Sequence, residues 1–414
     1  MAAVHPALLS LLLVALMFTS YQYSSRNQAT SSWSVDGGGR NMTVYAMAVG
    51  QGDGNIILCP NGRDVLIVDM GSTYLFANNS YGAYLLKEKF KVVKNQKNIH
   101  IVITHPHEDH YNFLLTSLDK ELLPLVHEIV VGGWKYTNKS RFRNVINKMR
   151  KSGVPVYTVN SRSECFGNSD CRWTPVSAAA VNNHVFRKKS PAVGDPWQFC
   201  GREVSVTVLG ANICGRKCRR QDENGQSVIL KLAYKGWSLF LSGDFEGEEQ
   251  QLKLMKRWPQ SILHSTYYKV AHHGSEQANL PDLLTKIRPR RAYVSQAHPV
   301  ATFCKGYKHP RCQVIDKLIE LVNIDSNPRN SPIVCWTDER GIEQRSGYAI
   351  YETCREYDTD LDKQICHDIM ITTDGYNDHT TYVGVPREYL YIREHFQPSR
   401  KCRKPLEDLK KQLP

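Results

Sequence analysis

Short apolar runs end again and again in small or polar residues along this chain, and each ending marks the next element. M-T-V-Y-A-M-A-V, N-I-I-L-C and V-L-I-V predict three strands, separated by the Gly-rich turn G-Q-G-D-G and a P-N-G turn. The third run, Val65 to Val68, ends in Asp69 and Gly71. Tyr84 to Lys91 reads as a helix, and Ile99 to Ile103 as a short buried strand capped by T-H-P-H-E-D-H. F-L-L-T-S-L-D-K-E-L-L-P-L-V suggests helical crossover material, and H-E-I-V-V-G-G-W another strand. A helix over Asn144 to Lys151 and the strand V-P-V-Y-T-V follow, before a cysteine-rich, irregular insertion from Ser161 to Arg220.

Periodicity then returns. S-V-I-L-K-L-A-Y-K-G-W-S-L-F-L-S-G-D-F predicts two strands joined by a K-G turn, and E-G-E-E opens a helix with acidic residues in its favourable first turn. Tyr267 to Val270 is a strand ending at A-H-H-G-S. A helix near Leu280 to Ile287, the strand R-A-Y-V-S and a helix from Gln313 to Val322 continue the alternation. The tail after Tyr348 reads as short strands and polar loops. Strands interleaved with helices predict an α/β fold of mixed sheets covered by helices, with no obvious second domain.

Composition adds bounds. The 414 residues, 41% apolar and 22% charged, are enough for a full core and exclude a disordered chain. The net charge of +13 would attract phosphates, nucleic acids, acidic glycans or anionic lipids, without choosing among them. Residues 1–24 carry an apolar run, Ala7 to Phe18, of signal-peptide length; it lacks a basic n-region, so an uncleaved membrane anchor is the alternative. Residues 25–40 read as a linker, 41–395 as a catalytic domain with a C-terminal extension, and 396–414 as a basic tail. The twelve cysteines include no C-x-x-C pair, which favours disulfides in an oxidising compartment over structural zinc. Cys165/Cys171, Cys214/Cys218 and Cys304/Cys312 are candidate local bridges. Sequons at Asn41, Asn78 and Asn138 agree with a secretory route.

The chemistry concentrates at strand ends. His105 and His107 are two positions apart, so an extended backbone points both imidazoles to one side, where they can grip one ion. Asp109 and His110 add an oxygen and a third imidazole, so one loop can feed two neighbouring ions; zinc and manganese suit such donors. Gly50, Gly52 and Gly54 lack the spacing and the following Lys and Ser of a P-loop, so they read as tight turns, and nothing supports a nucleotide cofactor.

H-P-H-E-D-H resembles the H-x-H-x-D-H motif of the metallo-beta-lactamase superfamily, whose fold is a four-layered αββα sandwich with metals at the sheet edges. V-G-Q-G-D-G, L-I-V-D-M-G, I-V-I-T-H-P-H-E-D-H, F-L-S-G-D-F-E and Y-K-V-A-H-H-G-S stand in the order typical of the lactamase-like domain of bacterial competence proteins for DNA internalisation. That similarity runs from about Thr43 to Tyr293, with Y-K-H-P at Tyr307 to Pro310 as a further point; no multi-helix transport domain is evident. The resemblance implies His105 and His107 as ligands of a first metal, Asp109 and His110 of a second, and Asp244 as the bridging carboxylate. One of His272 and His273 completes the second site. His272 is favoured as closer to the strand end, with His273 then beside the metal shell or facing substrate. His184 is the tentative third ligand of the first metal; otherwise that site uses another oxygen donor or stays incomplete. Asp69, in the family's D-x-G turn, is expected to order the ligands by hydrogen bonding.

These features converge on a metal-dependent hydrolase. Catalysis is expected from Asp109 and Asp244, with Lys269, His273, His298 or His309 assisting where they face the cleft. The expected substrate is a phosphodiester, DNA or RNA read with little sequence preference, with R-K-C-R-R at Arg216 to Arg220 and I-R-P-R-R at Ile287 to Arg291 as candidate contacts. The alternatives are a small phosphoester, amide, thioester or lactone, or a polyanion-binding protein with an incomplete site.

Overall fold

The computed structural model describes residues 41–72, 81–132, 140–159, 164–166, 173–175, 200, 203–213, 223–302, 306–322, 332–346, 349–358 and 363–390. Two sheets dominate. The first begins with β1 (Met42–Ala46), β2 (Gly54–Leu58), β3 (Asp64–Met70), β4 (Asn98–Ile103), β5 (Val126–Val131), β6 (Val156–Val159) and β7 (Trp173–Pro175), hydrogen-bonded in that order. The second contains β8 (Val204–Gly210), β9 (Ile229–Tyr234), β10 (Trp237–Leu241), β11 (Tyr267–Lys269) and β12 (Arg291–Val294). A separate hairpin, β13 (Ile333–Thr337) and β14 (Gly341–Arg345), precedes β15 (Ile350–Glu352), which pairs with β12. The chain then returns to the first sheet with β16 (Cys354–Asp358), β17 (Lys363–Thr373) and β18 (Asp378–Leu390), β17 lying against β1.

Strand side chains alternate between faces, and here both faces are apolar. Val65 and Ile67 of β3, with Ile99, Ile101 and Ile103 of β4, enter an outer core under α1 (Ser140–Lys151). Leu66, Val68 and Val102 from the same strands point the other way and meet Leu230, Leu232, Leu239 and Leu241 of the second sheet. On that sheet's far face, Ile229, Phe240 and Tyr268 pack under α2 (Glu248–Arg257), α3 (Pro281–Ile287) and α4 (Cys312–Leu321). Three cores between four layers make an αββα sandwich of the metallo-beta-lactamase type. α1 docks through Phe142, Val145, Ile146 and Met149, a spacing that places all four on one helix face. Truncating Phe142 to alanine there would cost about 3–5 kcal/mol.

Several expectations change. The crossover after Phe113 is two short turns, Leu114–Ser117 and Leu123–Leu125, because Pro124 and the small, polar Thr116 and Ser117 break a continuous helix. The cysteine-rich stretch contains a core strand, β8, whose V-S-V-T-V alternation is a strand signal in its own right. The tail does not end in short strands: β17 and β18 form a long hairpin that extends the first sheet. Cys312 bonds Cys335 rather than Cys304, stapling the start of α4 to β13. Cys59–Cys200 and Cys354–Cys366 are the other described bridges. Cys171, Cys214 and Cys218 lie outside the described residues, as do the N-terminal segment, Asn78, Asn138 and the basic tail. Among the described residues no helix is long and apolar enough to cross a membrane.

Candidate metal centre

Parallel strands deliver their polar ends to one place. β3 and β4 run parallel in the first sheet, and β10, β11 and β12 run parallel in the second. The carboxyl end of β3 supplies Asp69, that of β4 leads into His105, His107, Asp109 and His110, and that of β10 leads to Asp244. β11 leads to His272 and His273, and β12 to Ser295. The two sheets are tied there by Val228 N–H donating to the Thr104 carbonyl at 3.0 Å, while within the second sheet His272 N–H donates to the Gly243 carbonyl at 3.1 Å.

Two glycines permit the approach. A Cβ on Gly52 would lie 2.3 Å from the Gly71 carbonyl oxygen, and one on Gly71 would lie 2.6 Å from the backbones of Asp109 and Tyr111. Glycines in these tight turns let the first sheet's loops stack on the short helix Glu108–Tyr111, which carries Asp109 and His110.

Hydrogen bonds fix which nitrogen of each histidine is free. Asp69, at φ 60°, accepts from Thr104 N–H at 2.7 Å, from the Thr104 hydroxyl at 2.8 Å and from His110 Nδ1–H at 2.8 Å. Because the Thr104 proton is used on Asp69, its oxygen accepts from His105 Nδ1–H at 3.1 Å. His273 Nδ1–H donates to the Ser295 carbonyl, and His272 Nδ1–H to Glu246, each at 2.7 Å. His107 donates through Nε2 to Glu223 at 2.9 Å. Anchoring one nitrogen on a carboxylate, hydroxyl or carbonyl orients the other, as metal-binding histidines require.

The freed atoms converge. Asp109, His110, Asp244 and His273 bring one donor atom each within 4.8 Å of one another, and so do His105, His107 and Asp244. His105 Nε2, His110 Nε2, His273 Nε2 and Asp244 Oδ1 are buried without a hydrogen-bond partner. His105 Nε2 carries a lone pair because its proton sits on Nδ1, yet it stands 3.9 Å from the carboxylate of Asp244. A bare nitrogen facing a buried carboxylate oxygen is satisfied by a cation, so the donors present fit metal ions.

Local charge follows the same geometry. Burial, then the neighbouring His110 and His107, push the His105 pKa well below its usual value, so it is neutral. Burial works against a charged His110, but Asp244, Asp69 and Asp109 outweigh it and raise its pKa well above the usual range. Asp109 is opposed by burial yet held down to about 2, chiefly by the charge of His110, with His273 Nε2 3.5 Å away. Burial likewise opposes His272, whose pKa Asp244 and Glu246 nonetheless lift to about 9.

The remaining expectations sort by position. His273, not His272, joins the Asp109, His110 and Asp244 group, because left-handed backbone at both residues (φ 46° and 53°) turns the second imidazole inward. His272 Nε2 still lies 3.6 Å from Asp244 Oδ2, but the His272 side chain is 22% exposed and its ring lies tilted beside His309, centroids 5.5 Å apart. Lys269 does not face a cleft. It is buried, paired with Asp53 and bonded to the Gly243 carbonyl at 3.3 Å. His298 is also buried, its pKa pushed down to about 3 by desolvation. His309 is driven to about 3 by burial and by His272. His184 and Arg216 to Arg220 lie outside the described residues. Ile287 to Arg291 sits at the amino end of β12, about 13 Å (four residues) from the Ser295 end that touches His273. Arg291 is already paired with Asp378.

Asp53, Glu223 and Glu246 escaped the sequence reading. Asp53 offered one signal, an acidic side chain between glycines of a tight turn; Glu223 and Glu246 are ordinary surface acids by pattern.

No family model matches the chain. No curated protein matches it. Among solved structures, the metallo-beta-lactamase fold protein YhfI from Bacillus subtilis is similar over 62% of this chain and 87% of its own, with 10% identity and a TM-score of 0.32. At that score the likeness adds nothing to the layer order and donor geometry, which point to a metal-dependent hydrolase.

Proposed function

We propose that this chain is a secreted metal-dependent phosphodiester hydrolase acting on DNA or RNA. The observation that carries the reading is the convergence of unpartnered buried Nε2 atoms from His105, His110 and His273 on Asp244 at the strand ends. His105, His107 and Asp244 would hold one ion, and Asp109, His110, Asp244 and His273 a second; zinc suits the nitrogen-rich set, and manganese is the alternative. When bound, such a pair lowers the pKa of water and neutralises charge building on a phosphoryl oxygen.

The chain's own groups account for the rest. Asp69, Glu223 and the Ser295 carbonyl keep His110, His107 and His273 in the tautomers that present a lone pair. Lys269 holds Asp53 beneath the cluster as a buried counter-ion. His272, partly exposed and cationic, stands where it can give a proton to a leaving oxygen, with His309 beside it as a hydrogen-bond partner for phosphate.

The resemblance to competence-protein domains and the charge of +13 favour a nucleic acid. The position of Ile287 to Arg291, away from the strand ends, favours the second reading, a small phosphodiester. Bridges at Cys59–Cys200, Cys312–Cys335 and Cys354–Cys366 support an oxidising compartment, hence secretion or the secretory lumen. The test is a zinc- or manganese-loaded preparation assayed on single-stranded DNA, double-stranded DNA, RNA and a chromogenic phosphodiester, with Asp244→Ala as control. Cleavage of the small ester with every nucleic acid intact would sink the nuclease reading. Equal activity in Asp244→Ala would sink the metal-centre reading.

A further inference from the structure

The first ion pocket has fewer donors of its own than the second. It has His105 and His107, and it shares Asp244 with the Asp109, His110 and His273 cluster. A short turn, Asn224–Gln226, follows Glu223, the residue bonded to His107. That turn is pinned at both ends: Val228 N–H bonds the Thr104 carbonyl at 3.0 Å, and Glu223, the residue before the turn, takes the His107 Nε2 proton at 2.9 Å. Between them Asn224 is 8% exposed, and its Nδ2 donates to Glu246 Oε1 at 2.8 Å. The other oxygen of Glu246 holds His272, which stands 3.6 Å from Asp244.

A carboxylate only accepts, so Glu246 fixes the Asn224 amide with its NH2 toward Glu246. The amide oxygen is left as a buried acceptor, and Oδ1 has no hydrogen-bond partner. It shares that condition with His105 Nε2, His110 Nε2, His273 Nε2 and Asp244 Oδ1, the atoms that fit the ions. Buried acceptors without donors are uncommon and call for an ion, a water or a function.

We propose that Asn224 Oδ1 is the third protein donor of the first ion pocket, in place of a third histidine. The inference rests on the metal-centre reading above and adds a residue to it. Glu223 and Glu246 then act as positioning residues, Glu223 by holding His107 and Glu246 by holding both Asn224 and His272. A neutral amide oxygen is a weaker donor than imidazole, so the first ion binds more loosely than the second.

Zinc uptake by the full-length chain tests this, read as metal content after desalting and as a calorimetric titration, with cobalt(II) as the spectroscopic probe. Wild type is expected to take two ions of unequal affinity. Asn224→Leu, close in size and without a donor, is expected to lose the weaker ion or weaken it about tenfold or more, leaving the tighter one unchanged. Asn224→Asp keeps the oxygen and adds charge, so it should retain both ions and tighten the weaker; this variant keeps the test decisive should Asn224→Leu fold poorly. Two ions at wild-type affinity in a folded Asn224→Leu overturn the proposal. So does loss of the weaker ion in His184→Ala with Asn224→Leu unaffected. A wild-type chain that takes up no ion is a different failure, that of the metal-centre reading itself.

Discussion

Asp69→Asn isolates the hydrogen bond that sets the His110 tautomer. The substitution keeps the side-chain size and suits the left-handed backbone at φ 60°, which asparagine tolerates. The oxygen that accepts the Thr104 backbone N–H must stay oxygen, because that donor cannot reverse. The amide nitrogen therefore replaces Oδ2, which receives both the Thr104 hydroxyl and His110 Nδ1–H. The hydroxyl can rotate and accept. His110 can accept only by giving up its Nδ1 proton, which moves to Nε2, 3.2 Å from Asp244 and facing the ion position.

Two magnitudes follow. Charge-assisted bonds of roughly 1.5–3 kcal/mol become neutral bonds of about 0.5–1.5 kcal/mol, a loss of about 3–4 kcal/mol over the three bonds that Asp69 accepts. That is below the roughly 5–15 kcal/mol typical of a domain, so the protein stays folded. Affinity for the second ion should fall about 10- to 100-fold, the usual effect of removing such an outer partner. A competition titration with a zinc chelator measures the second, and a thermal melt in excess chelator the first. Nitrogen-15 shifts of His110 should report the proton moving from Nδ1 to Nε2. Wild-type zinc affinity in the variant, with the tautomer switched, would refute the claim that this nitrogen holds an ion.

Gly71→Ala should lose about 2–3 kcal/mol and displace Asp109, since its Cβ would meet the backbone of Asp109 and Tyr111 at 2.6 Å; a melt and a loss of zinc uptake check it. Zinc at a hundred times its Kd should raise stability by about 2.7 kcal/mol in wild type and by clearly less in Asp244→Ala, read from melts with and without chelator. Glu352, buried and bonded to Gln296 and the Val334 N–H, has its pKa raised from 4.5 to about 8, mainly by desolvation. The native state then binds this proton more tightly than the unfolded chain. Stability should fall as pH rises from about 4.5 to about 8, by at most about 5 kcal/mol, and Glu352→Gln should flatten that slope in urea titrations.

The layered fold was legible because its signals are local and dense. Val65 to Val68 and Ile99 to Ile103 are apolar on both faces, and a strand so written has to lie between two layers. The loop from His105 to His110 was legible for the same reason, donors packed into six residues. What stayed hidden depends on register and turn geometry. His272 and His273 are adjacent, and only the left-handed backbone at both decides which imidazole turns inward. Glu223 and Glu246 carry no pattern; they matter because Val228 is bonded to Thr104 across the two sheets. β17 pairs with β1 over more than three hundred residues of separation, which no window along the chain can see.

The charge inventory of the cluster separates a metal site from an ordinary buried polar network. Lys269 cancels Asp53, which leaves the buried Asp69 and Asp244 and the partly buried Asp109 as carboxylates needing compensation. His272 returns positive charge, its pKa raised against burial by Asp244 and Glu246, whereas on His110 an ion would take the place of the Nε2 proton that the neighbouring carboxylates favour. A structural network would end there, with donors matched to acceptors. Here His105 stays neutral and presents a lone pair toward Asp244, while Oδ1 of that carboxylate has no donor. Protons cannot resolve this arrangement, because burial and the neighbouring histidines keep His105 from taking one. A divalent cation resolves it at once, accepting both lone pairs and offsetting the excess of carboxylates. The same accounting explains why Lys269 lies under the cluster rather than in it: an ammonium among the donors would compete with the ions, whereas one paired to Asp53 fixes the Gly-rich turn on which Asp109 rests.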